Sequence, residues 1–238
     1  AMNQLFGRIR MAMDKERRFT SDAAHELRTP IAALRAQLQV AERTPDAEER
    51  QAAIAKALHV TSRMTHLVAQ LLALARLEGE SIDKPDAKVN LSDLVQDVVI
   101  ELAPQSESKH IQLQADISPN CVLNGNFELL RIMLRNLLDN AIRYVPGGGK
   151  VRVGLAVQKG KVELTVKDNG PGVATEEREK LGQRFHRFGP QTADGVGLGL
   201  SIVQRIAELH GAKLAFGDGL EETGLGVKVS FPAIDSDK

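Results

Sequence analysis

Residues 127–144, FELLRIMLRNLLDNAIRY, decide the fold of the second half of this 238-residue chain. Apolar residues recur there every three or four positions, which predicts an amphipathic helix that ends before Pro146-Gly147. Asn136 and Asn140 are four residues apart and therefore share one face of the helix. Their neutral amide oxygens suit a hard cation whose charge is already neutralised by the phosphates of a ligand. Carboxylates at these positions would repel the negatively charged phosphates.

Shorter elements surround this helix in an irregular order. Helices are predicted from about Ser92 to Ser108 and from about Leu198 to His210, the second ending at Gly211. Short apolar alternations occur at Ile111–Ile117 and Cys121–Leu123, and strands are predicted at Val151–Val157, Val162–Val166, Lys213–Phe216 and Val227–Phe231. Because strands and helices do not alternate as a βαβ repeat, we expect an α+β sandwich with helices on one face of a mixed sheet.

The first 80 residues follow a different pattern. They contain no glycine between Gly7 and Gly79, and apolar residues recur at helical spacing on both sides of Thr44-Pro45-Asp46. This predicts an all-α hairpin of two antiparallel helices over residues 1–80, a polar linker at 81–90 and a second domain over 91–238. A lone hairpin leaves an apolar stripe uncovered, so we expect a homodimer with a four-helix bundle; the alternative is packing on the rest of the chain.

The composition argues against several classes of function. The chain has 31 basic and 31 acidic residues, so no large cationic surface is expected and nucleic-acid binding is disfavoured. Cys121 is the single cysteine, which excludes an intrachain disulfide and a cysteine zinc cluster. No apolar run reaches the roughly 20 residues of a membrane-spanning helix, and the best candidate, Leu67–Leu77, is interrupted by Gln70 and Arg76.

Two glycine-rich segments accompany the paired asparagines. The first, Asp168-Asn169-Gly170-Pro171-Gly172, follows a predicted strand; its glycines let backbone approach a ligand, and its carboxylate can accept a hydrogen bond from an exocyclic amine. The second, Gly195-Val196-Gly197-Leu198-Gly199-Leu200, opens a helix and offers backbone N–H groups to an anion. Singly, paired asparagines also serve as caps or network residues and such glycines are common in turns. Their order and spacing together argue against coincidence.

His25 is the histidine with informative neighbours. It lies on the side of its predicted helix opposite the apolar stripe, with Glu26 beside it, Thr29 one turn on and Pro30 inside the helix. A proline inside a helix lowers the stability of the helix by about 3 kcal/mol. Its position beside an exposed His-Glu pair therefore indicates a functional role. The alternative is a solvated surface histidine; H-E-x-x-H metalloprotease chemistry is excluded because the second histidine is missing.

Together these motifs resemble the cytoplasmic catalytic portion of bacterial two-component sensor histidine kinases. Five boxes of that family occur in its order: the H box at 19–30, the N box at 136–141, the first glycine box at 168–172, the F box at 185–188 and the second glycine box at 195–200. The amino-acid sequence around His25 and from Gly197 to Ala207 is most similar to that of the QseC-like subgroup.

The resemblance implies a dimerisation and phosphotransfer hairpin followed by an ATP-binding domain of the gyrase/Hsp90-like (Bergerat, or GHKL) fold. It implies autophosphorylation of His25 by ATP, phosphoryl transfer to an aspartate of a response regulator, and dephosphorylation of that regulator. Glu26 would orient the imidazole and take its proton. Thr29 would place the water of the phosphatase reaction, or its hydroxyl would only bond within its own helix.

In the ATP-binding domain the resemblance gives each motif a role. Asn140 would ligate Mg²⁺ and Asn136 would support the phosphates. Arg143, where many relatives carry lysine, would hold phosphate through its planar fork, and Tyr144 would pack on the adenine. Asp168 would accept the adenine amino hydrogen. The remaining implied residues are Arg187, a stabiliser of the transferring phosphoryl group, and the nucleotide-binding Gly170, Gly172, Gly195, Gly197, Leu198 and Gly199; residues 184–195 would form the ATP lid.

The resemblance also implies partners and a location. It predicts a homodimer, a receiver domain as partner, no direct contact with nucleic acid, and the cytoplasmic portion of a bacterial inner-membrane protein whose membrane segments are missing from this chain. Two other classes of function are less consistent with the sequence. Another ATPase of the same nucleotide fold, or a serine kinase, has no need of an exposed His-Glu pair on a dimer helix. Intact Asn140, Asp168 and glycine boxes argue against a non-catalytic scaffold.

Overall fold

Two long helices form the first part of the chain in the computed structural model, which describes residues 2–79, 87–184 and 197–232. Helix α1 spans Met2–Arg43, continuing through Pro30, and helix α2 spans Ala47–Gly79. The Asp46 carboxylate caps α2, since its Oδ1 accepts hydrogen bonds from the backbone N–H groups of Glu48 (2.7 Å) and Glu49 (3.0 Å). The two helices and the stop between them are therefore as predicted.

This helical part leaves much apolar surface uncovered. Helix α2 buries a stripe that includes Ala53, Ala57 and Leu67. Other large apolar side chains of the two helices are 40 % to 65 % exposed: Ile31, Leu38, Val40, Ile54, Leu58, Val68 and Leu72. By contacts the chain divides into two compact units, Ala1–Ala73 and Leu74–Lys238, and the first unit covers only part of its own apolar surface.

The second unit consists of short strands and three helices. In chain order they are β1 (Ala87–Asn90), α3 (Leu91–Ser108), β2 (Gln112–Ile117), β3 (Val122–Gly125), α4 (Phe127–Tyr144), β4 (Lys150–Gln158), β5 (Lys161–Asp168), α5 (Gly199–Leu209), β6 (Lys213–Asp218) and β7 (Leu225–Phe231), with a 3₁₀ turn at Thr175–Lys180. Strands β1 and β3 pair with each other. The others form one sheet in the order β2-β4-β5-β7-β6, in which the β2–β4 pair is parallel and the remaining pairs are antiparallel.

The sheet buries one face against the helices. Along β5, buried Val162, Leu164 and Val166 alternate with less buried polar residues, the pattern of a strand with one covered side. Helix α4 contributes a row of fully or almost fully buried side chains that includes Leu130 and Leu137. The described part of this unit is thus a two-layer α+β sandwich with a mixed sheet, which confirms the predicted fold class.

Local patterns located most elements to within a residue or two. Helix α4 has the predicted bounds, and the other predicted helices and strands occur with small shifts. Strand β1 occupies the last four residues of the expected linker, and the 3₁₀ turn was not predicted. Both are short, and the turn sequence TEEREK has no apolar periodicity that could reveal it. Over the described residues, no helix is long and apolar enough to cross a bilayer.

Candidate functional site

The paired asparagines of α4 meet the beginning of α5. The Asn136 amide donates a hydrogen bond from Nδ2 to the Ile132 carbonyl at 2.8 Å. A Cβ atom added to Gly199, the first residue of α5, would lie 3.0 Å from Nδ2 of Asn140 and 3.2 Å from Oδ1 of Asn136. The two helices approach so closely here that a larger residue would displace the amides. The N box and the second glycine box are therefore brought together.

The start of α5 offers an anion-binding end beside these amides. Gly197 has a left-handed φ of 75° and Leu198 is completely buried. The glycine lets the chain turn into the helix while the leucine anchors it in the core. A helix N-terminus carries unsatisfied N–H groups and a partial positive charge. Asn140, Gly199 and this helix end thus provide amide oxygens and N–H donors in one place.

Asp168 is the last residue of β5, and only one oxygen of its carboxylate accepts hydrogen bonds from the described residues. Its side chain is 7 % exposed, and Oδ1 accepts hydrogen bonds from the backbone N–H groups of Gly170 (2.8 Å) and Leu225 (3.2 Å). Burial raises the pKa of Asp168, and these two N–H donors act in the opposite direction. None of the described residues donates a hydrogen bond to Oδ2. A buried acceptor in this condition suits an N–H donor supplied by a ligand.

The first glycine box packs tightly on the end of α4. A Cβ added to Gly170 would lie 2.9 Å from Oδ1 of Asp168 and 3.1 Å from the carbonyl oxygen of Tyr144. The neighbouring Asn169 accepts a hydrogen bond at Oδ1 from the Lys150 backbone N–H at 2.7 Å. The segment thereby joins Asp168 to the helix that carries both asparagines.

The turn between β6 and β7 closes the site from the other side, and it was not predicted. The Leu220 N–H donates to the Asp168 carbonyl at 2.8 Å, and a Cβ on Gly224, whose φ is 72°, would collide with the same carbonyl. Gly172, with a φ of 70°, would place a Cβ 2.8 Å from the Gly224 carbonyl oxygen. The sequence Gly224-Leu225-Gly226 at the start of the last strand was the available signal.

Arg143 and Tyr144 lie in the last turn of α4, one turn beyond Asn140, and both are half-buried. Nη2 of Arg143 pairs with Oδ2 of Asp139 at 2.5 Å. Asp139 precedes Asn140 in the N box but was not among the predicted site residues. The cation predicted to hold phosphate is therefore already engaged by a carboxylate of the same motif.

The predictions for the F box and the lid fall largely outside the described residues. Arg187 and Gly195 both lie in the segment 185–196, so the structure does not place them relative to the other boxes. Their assigned roles stay predictions.

His25 stands on the surface of the first unit. The His25 and Thr29 side chains are exposed, Glu26 is half-buried, and α1 continues unbroken through Pro30. No hydrogen bond or ion pair from another described residue engages His25. The imidazole is thus presented on an open helix face, where a reactant can approach it.

Comparisons with known proteins identify both units. Residues 15–80 match the His Kinase A (phospho-acceptor) domain, and residues 125–235 match the Histidine kinase-, DNA gyrase B-, and HSP90-like ATPase family. Sensor protein kinase PmrB of Pseudomonas aeruginosa is 42 % identical over 99 % of this chain and 50 % of its own length. Sensor protein QseC of Escherichia coli strain K12 is 42 % identical over 97 % of this chain and 51 % of its own length. The chain thus spans about half the length of these relatives.

Solved structures give the same result. The cytoplasmic segment of histidine kinase QseC is 34 % identical, with a TM-score of 0.51, and the match covers 73 % of this chain and 95 % of that one. The Acinetobacter baumannii histidine kinase AdeS shares the fold, with a TM-score of 0.66 over 89 % of this chain and 98 % of that one at 23 % identity. This chain therefore contains a helical phosphoacceptor region and a GHKL ATPase domain, and PmrB and QseC resemble it over most of its length. The chain belongs to the sensor histidine kinases and is the catalytic region of one.

Proposed function

We propose that this chain transfers the γ-phosphoryl group of ATP to His25, and from His25 to an aspartate of a response-regulator receiver domain. The observation that carries the proposal is the buried Asp168 carboxylate, whose Oδ2 accepts no hydrogen bond from the described residues. It lies where the first glycine box packs on the end of α4, the helix whose Asn136 and Asn140 meet the first residue of α5. An adenine amino group would satisfy this oxygen, which ties the site to a nucleotide.

The nucleotide is held by groups that the fold has already oriented. Adenine would lie between Asp168 and Tyr144, on the side where Gly170 lets the backbone come close. The phosphates would face the N-terminus of α5 and the Asn136 amide, because helix N–H groups and neutral amides do not repel an anion. Mg²⁺ bound with the triphosphate would neutralise part of its charge, and the Asn140 amide oxygen would be a protein ligand for it.

The chemical step needs little from the protein beyond positioning. A neutral imidazole nitrogen of His25 attacks the γ-phosphorus in line, so that a P–N bond forms while the bond to the β-phosphate oxygen breaks and ADP leaves with the electron pair. Glu26, adjacent and half-buried, accepts the proton lost from the other ring nitrogen. In the second transfer a carboxylate oxygen of the regulator aspartate attacks the phosphorus, and the P–N bond breaks with its electron pair going to the ring nitrogen. Glu26 returns the proton to the other ring nitrogen, so that His25 is left as a neutral imidazole.

Thr29 supports a second activity on the same surface. It lies four residues after His25, on the same helix face, and its side chain is exposed. A hydroxyl there would orient a water for in-line attack on the regulator's phosphoaspartate. We expect Thr29→Ala to lose regulator dephosphorylation while keeping His25 phosphorylation. Normal dephosphorylation by this variant would remove the case for the phosphatase.

The assembly and the domain limits are part of the same proposal. Residues 1–80 would form the dimerisation and phosphotransfer domain, 81–90 the linker and 91–238 the catalytic domain. The exposed apolar side chains of α1 and α2, such as Leu38 and Leu58, would be covered by a second copy in a four-helix bundle. The relatives are about twice as long, and we infer that the whole protein is attached to a bacterial inner membrane with this region in the cytoplasm.

Incubation with γ-labelled ATP and Mg²⁺ tests the proposal. Wild-type chain should acquire acid-labile, base-stable label, and His25→Gln should acquire none. His59→Gln, which removes an exposed histidine of α2 in the same unit, is the matched control and should label normally. Nucleotide hydrolysis without label on the protein would instead support an ATPase of the same fold.

A further inference from the structure

A polar stripe, defined here as Glu101 and Gln105 of α3 and Lys109 directly after its last residue, faces α4. Its members are four residues apart, so they lie in one row along the helix. At the beginning of the row, Glu101 pairs with Arg131 at 2.8 Å and also with Arg135. These two arginines are 47 % and 53 % exposed, and the pairs belong to the solvent-facing surface.

The rest of the polar stripe holds the turn of α4 that faces the nucleotide site. Gln105 donates from Nε2 to Oδ1 of Asp139 at 3.1 Å, and the other carboxylate oxygen, Oδ2, pairs with Arg143 at 2.5 Å. Lys109 donates from Nζ to the backbone carbonyl of Ile142 at 3.2 Å, which satisfies a carbonyl at the end of α4. A continuous chain of contacts therefore runs from α3 through Asp139 to Arg143.

The Asp139–Arg143 pair differs from an ordinary helix ion pair. Its side chains are only 13 % and 20 % exposed, against 29 % for Glu101 in the surface cluster. An arginine side chain loses most of its rotamer freedom whenever its guanidinium is fixed on a ligand. Asp139, itself held by Gln105, fixes much of that freedom before any ligand arrives.

We propose that Asp139 and Gln105 are positioning residues for nucleotide phosphate, acting through Arg143. This inference rests on the proposed binding of ATP and adds the device that orders the phosphate-binding cation. Asp139 fixes the guanidinium of Arg143, which lies one turn beyond Asn140 on α4, and Gln105 prevents the carboxylate from rotating away. Losing either contact leaves Arg143 to be ordered by the ligand, so affinity falls for ligands that carry phosphate and not for those that lack it.

Equilibrium titrations of the full chain with Mg-ATP and with adenosine test this assignment. We expect Asp139→Asn to weaken Mg-ATP binding about 10-fold and to leave adenosine binding unchanged, whereas a general lesion would weaken both. Asp139→Glu, which keeps the charge, should recover part of the loss, and Gln105→Leu should show the same selectivity with about a 3-fold effect. Tighter Mg-ATP binding by Asp139→Asn would show that the carboxylate opposes the phosphates and would overturn the proposal.

A double-mutant cycle identifies the route of the effect. In an Arg143→Ala background, Asp139→Asn should change Mg-ATP affinity less than 2-fold, because the residue it positions is gone. Effects of the two variants that multiply would contradict an action through Arg143. Glu101→Gln removes a carboxylate of the same stripe at its surface end and should leave both affinities unchanged. If wild-type chain binds no Mg-ATP, the proposed function fails; if it binds while the cycle shows independence, only this inference fails.

Discussion

The two units of this kinase region differ in how far their functional residues are buried. In the ATPase unit, Asp168 is 7 % exposed and Gly199 leaves no room for a side chain beside the asparagines, so the described motifs are packed closely together. In the helical unit, His25 is exposed and apolar side chains such as Leu58, at 65 % exposure, have no cover. The described motifs of the ATPase unit therefore pack against one another, whereas the helical unit leaves His25 and much of its apolar surface open to other molecules.

The largest effect should follow from Asp168→Asn. The amide keeps an acceptor for the Gly170 and Leu225 N–H groups but turns an NH₂ donor toward the adenine amine, and the mismatch costs about 3 kcal/mol, or roughly 100-fold in affinity. Because burial raises the pKa of Asp168, its ionised form lowers folding stability near neutral pH, and the neutral amide relieves this. Calorimetry should show loss of Mg-ATP binding with a Tm that does not fall.

The control for this experiment is Asp116→Asn on β2, whose side chain is 77 % exposed. It should change neither binding nor Tm. Retention of Mg-ATP affinity by Asp168→Asn would contradict the role of Oδ2 and, with it, the assignment of this closely packed part of the ATPase unit to the nucleotide.

Self-association should depend on the apolar surface of the helical unit alone. Leu58→Lys places a charge where a second copy is expected to bury a leucine, a change of about 2 kcal/mol that raises the dimer dissociation constant more than 10-fold. Sedimentation equilibrium measures this constant. Ile100→Lys alters a side chain of α3 that is 70 % exposed, and it should have no effect. If both variants weakened dimerisation equally, self-association would not depend on the helical unit alone, and the contrast drawn between the two units would be wrong.

A smaller effect is expected where α5 meets the asparagines. Gly199→Ala introduces a Cβ about 3 Å from the Asn140 and Asn136 amides, and their displacement should weaken Mg-ATP binding about 10-fold, or about 1.4 kcal/mol. Alanine is a better helix former than glycine, so the Tm should not decrease. A Cβ on Gly217 meets nothing within 4 Å, which makes Gly217→Ala the matched control for a titration. Unchanged binding by Gly199→Ala would show that the close approach has no functional importance.

The smallest effect concerns the pH dependence of folding stability that a buried histidine gives the ATPase unit. His210 is buried, its Nδ1 lies 2.8 Å from the Ile206 carbonyl, and its Nε2 accepts the Asn126 N–H at 3.1 Å. Burial lowers the pKa of His210, although the contact with Ile206 opposes this. As the pH falls below about 6.5, the unfolded chain takes up a proton that the folded chain resists. The contribution of His210 to the free energy of unfolding therefore decreases with acidification.

Urea denaturation of His210→Gln at pH 7.5 and 5.5 checks this sign. The variant should be less stable than wild type by about 1 kcal/mol at pH 7.5, and the difference should shrink at pH 5.5. A difference that stays constant or grows on acidification would contradict the neutral, doubly hydrogen-bonded imidazole. His110→Asn, at an exposed position with a φ of 57° that asparagine tolerates, should show no such change.

The sequence predicted best what local patterns encode. The bounds of α4 and the glycines of 168–172 and 197–199 follow from helical periodicity and from backbone that must come close to a neighbour. The Leu225 N–H that fixes Asp168 comes from 57 residues away and the Gln105 contact to Asp139 from 34, and such tertiary pairings leave no mark on local composition. Strand β1 was hidden for another reason, since four residues are too few for a period to be read.

Locating the transferred phosphoryl group tests the central claim most directly. Wild-type chain is incubated with Mg-ATP near neutral pH, digested without acid and examined by mass spectrometry for the modified residue. We predict one phosphoryl group, on the imidazole of His25, and none on the same peptide of Asp168→Asn. Phosphate on neighbouring hydroxyl residues such as Thr20, Ser21 or Thr29, or ATP hydrolysis that leaves the chain unmodified, would contradict the account.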